Sequence, residues 1–505
     1  MTSVDHFLFA LFLALTPLLC QAQRFAHISS TADGTWQKEA TAKLVSTPTS
    51  SQPLVVSDQT DAPLFRHWGT CFNELGWDAL SLLTPAERDS LLSLLFAPSG
   101  ELHFTRGRLS IGANDYARSW YSCDEMAGDF ELRLFNIDRD LTTLIPYIHA
   151  AQAFQPDLTY WVSPWSPPSW MKIHGDYPVV SSKYNHLDPS LDYLLYGRQG
   201  GIVDEDEMKL TGERNGQFPK QLATTDYMIQ DPRYLQAYAN YFCRFIDAYK
   251  EQGIPIDMVI YQNEAYSYTP YPGCAWTAEG TIRFNRDYLA PTLQAQHPEV
   301  SLYLGTFNTN RQDHVERVLA DSLLCTQVSG LAFQWEGRDI LPAIRQQHPQ
   351  WHYICSESEC GWGSFDWKAA EHTFELINHY LANGCDEYIF WNAILTDNGE
   401  SPWGWKQNAL IRVFSDTHTF ILTPEYTAVR HYSQFLTPGS QVLASLPGTE
   451  GTPLLVCRNP QGQLLVFTAN TNDTPADLSL AIGNKYLNLT LPPHSFHTLY
   501  EKKKP

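Results

Sequence analysis

The chain has 505 residues, about 480 once a leader is removed, which is more than one compact domain usually holds and leaves room for a barrel of roughly 250 residues plus a second module. Thirty-four basic against 55 acidic side chains give a net charge of −21, with no Lys/Arg cluster beyond Lys502-Lys503-Lys504, so nucleic acid is excluded as a partner. Aromatics make up 13% of the residues; most must serve the core, but Trp and Tyr also offer flat faces with a polar handle on which sugar rings stack.

In chain order, Phe7 to Leu19 is an apolar run of 13, too short to span a bilayer and right for the core of a signal peptide. Residues 1–22 are read as that leader, cleaved after Ala22, although Asp5 and His6 stand where a Lys or Arg is usual. A secreted or periplasmic location follows. Lipoprotein anchoring through Cys20 is the alternative, disfavoured by the bulky Leu18 and Leu19 before it. No other stretch is apolar enough to form an integral membrane span. Nine cysteines remain, an odd and scattered set that reads as buried thiols with at most one or two bridges, and Cys355 and Cys360 lack zinc-site spacing.

Residues 23–65 are rich in Thr, Ser and Val without helical period and read as edge strands of a small sandwich. Thr84-Pro-Ala-Glu87 is a capping box with Pro at the first helical position, so a helix starts there. Eight candidate parallel strands follow one another: Arg66 to Phe72, His103 to Leu109, Leu158 to Ser163, Asp257 to Gln262, Leu302 to Gly305, Leu331 to Gln334, Trp351 to Ser356 and Glu387 to Asn392. Helical stretches such as Pro232 to Lys250 and Ala369 to Asn383 lie between them. Residues 66–435 therefore read as an α/β fold, a (β/α)8 TIM barrel. From 436 to 505 the pattern returns to strands, with turn signals at Asn459-Pro-Gln-Gly462 and Pro492-Pro493, giving an accessory β-sandwich joined by the N-terminal strands.

In such a barrel the chemistry sits where strands end. Glu264 closes Met258-Val-Ile-Tyr-Gln-Asn-Glu264 and Glu357 closes Trp351-His-Tyr-Ile-Cys-Ser-Glu357, two carboxyls 93 positions apart. Glycosidic cleavage needs that pair: one acid protonates the leaving oxygen, and its partner attacks or activates water. Arg108 and Asp115 lie at and past the second strand, Ser163-Pro-Trp165-Ser-Pro-Pro-Ser-Trp170-Met-Lys172 closes the third, Gln334-Trp335-Glu336 the sixth and Trp391-Asn392 the eighth. Trp165 and Trp170 lean towards the pocket, whereas Lys172 reads as a solvated loop charge. Trp335 is a stacking platform or core in equal measure. Tyr266, Tyr268, Tyr271 and Trp276 read as a substrate-facing loop or a packed cluster, and Trp403-Gly-Trp405-Lys-Gln-Asn408 as a further subsite wall.

At these residues the chain resembles glycoside hydrolase family 30, the retaining enzymes that include glucosylceramidases, β-1,6-glucanases and β-xylosidases. The marks are Ser-Pro-Trp-Ser-Pro-Pro-Ser-Trp-Met-Lys at 163–172, Gln-Asn-Glu at 262–264, Ser-Glu at 356–357, Trp-Asn at 391–392 and the ending Leu491-Pro-Pro-His-Ser-Phe-His-Thr-Leu499. The resemblance implies Glu264 as general acid/base and Glu357 as nucleophile, with Asp115, Trp165, Asn263 and Trp391 shaping the site of the cleaved sugar. It also marks a departure: glucosylceramidases place His-Trp-Tyr where this chain has Gln334-Trp335-Glu336, so the tyrosine expected beside the nucleophile is missing and Glu336 adds an acid. Glu359, two residues past Glu357 and on the same side of an extended chain, would be a neighbouring supporting acid or, failing Glu357, the nucleophile.

The chemistry sets its own demands. Glu264 must start protonated, Glu357 ionised and supported by donors, and Asn263 is placed to hold the sugar 2-hydroxyl; a retaining pair stands roughly 5–5.5 Å apart. The expected protein is a secreted retaining β-glycosidase cutting β-glucosides, glycosides or a β-glucan or oligosaccharide, without metal or organic cofactor. An endo-β-1,6-glucanase is the alternative within the class, and a non-catalytic carbohydrate-binding protein the alternative outside it.

Overall fold

Residues 23–57, 60, 62–189, 226–267, 269–445 and 450–502 are described by a computed structural model; the expected leader with Cys20, and Tyr268, lie outside them. Four short strands open the described chain: β1 (Arg24–Thr31), β2 (Gly34–Lys38), β3 (Ala42–Lys43) and β4 (Leu54–Ser57). Eight more make the barrel: β5 (His67–Cys71), β6 (Arg106–Ser110), β7 (Thr159–Ser163), β8 (Ile256–Ile260), β9 (Ser301–Phe307), β10 (Gly330–Gln334), β11 (His352–Glu357) and β12 (Cys385–Asn392). They pair in parallel and close on themselves, as the sequence predicts.

Two strand ends differ from expectation for backbone reasons. His103 has a left-handed φ of +54°, so it belongs to the turn before β6 and not to the strand. Gly305, read as the end of β9, instead carries the strand onwards at φ +123°, where a Cβ would meet Ala332 O at 2.3 Å; only glycine fits. β9 thus reaches Phe307 and delivers Thr306 to the top of the barrel.

Period-two alternation fills the interior. Trp161, Met258, Ile260, Tyr303, Ala332, Ile354 and Ile389 form a closed inner cluster, while Tyr160, Val162 and Val259 face the surrounding helices. On β6 the inward positions hold two arginines. Arg106 serves the bottom, donating from Nε to Glu387 at 3.1 Å and from Nη1 to Asp257 at 2.6 Å. Arg108, one inward position later, reaches the opposite, functional end.

The crossover helices follow their sequence signals. Helix Pro85–Phe96 begins with the reciprocal Thr84–Glu87 cap and buries Leu91, Leu92 and Leu95. Helix Pro232–Glu251 is capped by Asp231 and helix Trp367–Ala382 by Asp366, each side chain accepting from a first-turn N–H. After the barrel come β13 (Ile394–Thr396), β14 (Ile411–Phe414) and β15 (Thr419–Leu422), a small sheet on the loop that follows β12.

The last strands are β16 (Gln441–Val442), β17 (Ala444–Ser445), β18 (Leu454–Arg458), β19 (Leu464–Asn470), β20 (Ala476–Ile482), β21 (Lys485–Leu491) and β22 (Ser495–Glu501). They build two sheets, β16-β18-β19-β22-β1-β2 with β3 on β1, and β17-β4-β20-β21, which share a core of Phe25, Val456, Val466, Leu480, Leu487 and Leu499. Here the sequence reading needs correction. β1 and β4 are interior strands, β1 between β22 and β2 and β4 between β17 and β20, because the backbone of each pairs with a strand on both flanks; β2 keeps an edge position. The sandwich is pinned to the barrel through stacking of Phe374 on Phe496 and His431 bonded to Ser30 and Thr498. All nine described cysteines are free thiols, eight of them buried.

Candidate active site

Arg108 organises the top of the barrel. Fully buried, it donates from Nη1 to Glu357 Oε2 at 2.8 Å and to Ser356 O at 2.9 Å, and from Nη2 to Asn263 Oδ1 at 2.7 Å and Ser163 Oγ at 3.1 Å. The rings of Trp161, Trp165 and Trp391 surround its guanidinium at 4.5–5.4 Å. One delocalised cation thereby ties the ends of β7, β8, β11 and β12 together, with the bidentate reach that a lysine would lack.

Glu357, the last residue of β11, takes a second donor from the indole of Trp335, Nε1 to Oε1 at 3.0 Å. Glu264 stands in the turn after β8 at φ +49°, its N–H on Thr306 Oγ1 at 3.0 Å and its Oε1 accepting from Gln334 Nε2 at 3.2 Å. Trp335 also has a left-handed φ, +48°. Non-glycine residues held there cost about 1–3 kcal/mol each, strain that the surrounding hydrogen bonds offset and that is concentrated where two side chains are aimed inward.

Asn263 joins the two carboxyl halves. Its Oδ1 accepts from Arg108, from Gln334 at 3.2 Å and from Thr306 at 3.5 Å, which fixes the amide and leaves Nδ2 without a partner among the described residues. Gln334 is held in turn, its Oε1 accepting from Ser356 Oγ at 2.9 Å. Asp115 is buried with Oδ1 unpartnered among the described residues, and Trp391, stacked on Trp165 at 5.2 Å, has a buried Nε1 in the same state.

The electrostatics follow from three carboxyls around one guanidinium. Burial pushes Asp115 well above the usual carboxylate range, and the charges of Glu357 and Glu264 push it further. Burial also raises Glu357; Arg108 pulls it back, the Glu264 charge pushes it up again, and the Trp335 donor lowers it. The donors expected around Glu357 are present, yet they do not fully cancel its desolvation. A polyhydroxyl ligand would supply donors where this pocket has too few.

Arg108, Asp115, Trp165, Asn263, Glu264, Trp335, Glu357 and Trp391 therefore converge. Glu359 does not. Its Oε1 is paired with Arg338 and its Oε2 with His372 at 3.0 Å; burial opposes its charge, but these two partners prevail and hold it below the usual range. An acid with both oxygens committed, one to the Arg338 guanidinium and one to the His372 ring, is a structural clasp between the β10 and β11 loops. Trp170 likewise packs away, its ring against Phe130 and Tyr234 and its Nε1 on Asp124 O. Lys172 is buried, contrary to expectation: its Nζ donates to the carbonyls of Tyr177 and Gly273, both at 2.6 Å, and burial lowers its pKa to about 8. Of the aromatic loop, Tyr266 packs on His314 and Trp276 on Phe284, whereas the Tyr271 hydroxyl is pushed up by burial and then by Glu264, Asp115 and Glu357, which places it in the carboxylates' field. Gln334, named only as part of a strand end, and Thr306, not named, also bond to Asn263 and Glu264. Gln334 was visible at a strand end but had no evident partner, and Thr306 was hidden behind Gly305.

A closed parallel barrel with two acids, Glu264 and Glu357, at the C-terminal ends of its strands suits glycoside hydrolysis. The model of the glycosyl hydrolase family 30 TIM-barrel domain matches residues 65–182 and 214–436, and the chain belongs to that family. Among curated relatives, the lysosomal acid glucosylceramidase of Mus musculus is 25% identical over 449 residues, covering 82% of this chain and 77% of its own. An endo-1,6-beta-D-glucanase of Aspergillus fumigatus is 23% identical over 435 residues, 83% and 81% of the two chains. Of solved structures, SrfJ from Salmonella typhimurium superposes with a TM-score of 0.79 at 20% identity, and the endo-beta1,6-glucanase BT3312 with 0.73 at 21%, each match covering 95% of this chain and 100% of the other. Among the described residues no helix is long and apolar enough to cross a membrane.

Proposed function

We propose that this glycoside hydrolase is an exported retaining β-glycosidase that cleaves β-glucosidic bonds by double displacement, with Glu357 as nucleophile and Glu264 as general acid/base. The observation that carries the assignment is the asymmetry of support: among the described residues Glu357 receives Arg108 and Trp335, whereas the carboxyl of Glu264 receives a single amide donor from Gln334. Arg108 and Trp335 pull Glu357 back, against its burial, towards the ionised form that attack needs, and Glu264 is the acid left to protonate the leaving oxygen. Asp115, the Nδ2 of Asn263 and the Trp391 indole then hold the hydroxyls of the sugar, with Trp165 beside them. The relatives named glucosylceramidase and endo-1,6-beta-D-glucanase both fit a β-glucosyl substrate. The apolar core of residues 7–19 supports export.

The test is hydrolysis of an aryl β-glucoside followed by NMR of the first-formed anomer. A β-anomer is expected; an α-anomer would show inversion and remove Glu357 as nucleophile. No turnover of any aryl β-glucoside or linkage-defined β-glucan, with sugar still bound, would favour a binding protein. The endo-β-1,6-glucanase reading is favoured if a β-1,6-glucan outpaces the aryl glucoside and is cut internally.

The indole of Trp335 does for Glu357 what the missing tyrosine would have done. Trp335→Phe keeps the ring and deletes the donor, and a lost hydrogen bond to a charged group costs about 1.5–3 kcal/mol, or roughly 10- to 150-fold in kcat/KM. Because that donor lowers Glu357, its loss is expected to move the acid limb of the kcat/KM profile to higher pH. An unchanged limb in the pH–rate profile would assign Trp335 to packing alone.

A further inference from the structure

Trp362 is 56% exposed, an unusual state for the largest apolar side chain, and it is held there by a rigid loop. Gly361 and Gly363 flank it at φ +67° and +82°. The carbonyl of Cys360 accepts from Asn408 N at 2.6 Å, Asn408 Oδ1 accepts from Phe365 N at 3.3 Å, and the amide of Asn408 is anchored on buried Glu425. A Cβ on Gly363 would meet Asn398 O at 2.5 Å, so the loops after β11 and β12 lie directly on one another.

The ring continues the catalytic pocket outwards. Trp335, whose Nε1 is on Glu357, lies 6.5 Å from Trp362 between ring centroids; Trp362 meets Trp405 at 5.1 Å, and Trp405 meets Tyr271 at 6.2 Å. This arc runs from the nucleophile's donor to the loop that carries the acid, and the acid's proton goes to the leaving oxygen. We propose that Trp362, backed by Trp405, is a stacking platform for the sugar on the leaving-group side, so that the substrate is a β-linked oligo- or polysaccharide. The proposal rests on the roles given above to Glu264 and Glu357.

The surroundings select a sugar over an acyl chain. Among the described residues Trp362 is the single exposed large apolar side chain of the loops that follow β10 and β11, the exposed Ile421 and Leu422 of the loop after β12 belong to β15, and the Lys406–Glu400 pair lies alongside, next in sequence to Trp405. One flat face with polar neighbours suits a pyranose, whereas a lipid tail requires a contiguous aliphatic surface.

The experiment compares wild type, Trp362→Ala and Trp362→Phe on β-linked glucose trisaccharides, an aryl β-glucoside and glucosylceramide in detergent micelles. The ratio of kcat/KM on the preferred trisaccharide to that on the aryl glucoside is expected to fall about tenfold in Trp362→Ala and to recover largely in Trp362→Phe. An unchanged ratio overturns the platform, and a loss confined to glucosylceramide assigns the ring to a lipid tail instead. Calorimetric binding of the trisaccharide to Glu357→Gln, with and without Trp362→Ala, keeps the platform testable apart from turnover: equal affinities overturn it. Failure of wild type on every β-glucoside while Trp362 still governs binding would sink the catalytic reading and leave the platform standing.

Discussion

Glu357→Gly is expected to lower kcat/KM on an aryl β-glucoside by on the order of 10⁴–10⁶, the range seen when a covalent nucleophile is deleted. The carboxylate is the acceptor of both Arg108 and Trp335, so the variant removes the attacking oxygen and leaves two donors aimed at a void. Arg108 retains Asn263 Oδ1, Ser163 Oγ and Ser356 O, and the barrel is therefore expected to stay folded, which a thermal melt would check. Azide can occupy the vacated space and attack the anomeric carbon once, giving a glucosyl azide of inverted configuration. Activity within tenfold of wild type would remove Glu357 from the mechanism.

Glu264→Ala is expected to slow turnover of substrates with poor leaving groups by about 10²–10⁴. A dinitrophenyl leaving group needs no proton, so the first step should run nearly as in wild type and the glycosyl-enzyme should accumulate as a burst. Azide needs no general base, so it should restore turnover and give a glucosyl azide of retained configuration, the opposite of Glu357→Gly. An inverted azide product from this variant would exchange the two roles. The two carboxyls are distinguishable because their supports differ: the Gln334 amide on Glu264 is a neutral donor, whereas Arg108 brings a full charge to Glu357.

Much of this site could be read from the chain because strand ends are local events. A β-branched or aromatic run followed by Asn-Glu or Ser-Glu marks where a barrel strand stops, and the mouth of a barrel gathers all such stops on one face. Glu264, Glu357, Arg108, Asp115 and Trp391 were all named from their places at or just past strand ends, and they come together at one end of the barrel. Glu359 shows the limit of the method. Its position two residues past Glu357 made it a rival, and only Arg338 and His372, 21 and 13 positions away, reveal that its charge is already committed. Lys172 failed for a similar reason: a lysine in a Pro-rich loop reads as solvated until the carbonyls of Tyr177 and Gly273 are seen around it.

By itself the sequence determined the barrel and its returning sandwich and pointed to Glu264 and Glu357 as the candidate acids, since period-two strands, helix caps and strand-end carboxyls depend on neighbours within a few residues. The tertiary structure alone decided who supports whom: that Arg108 spans Glu357 and Asn263, that the Trp335 indole donates to Glu357, that β1 and β4 are interior strands, and that the loop carrying Trp362 is held by Asn408 and Glu425. Those facts are contacts across tens to hundreds of positions, set by how eight strand ends and their loops close on one another, and no local pattern encodes them.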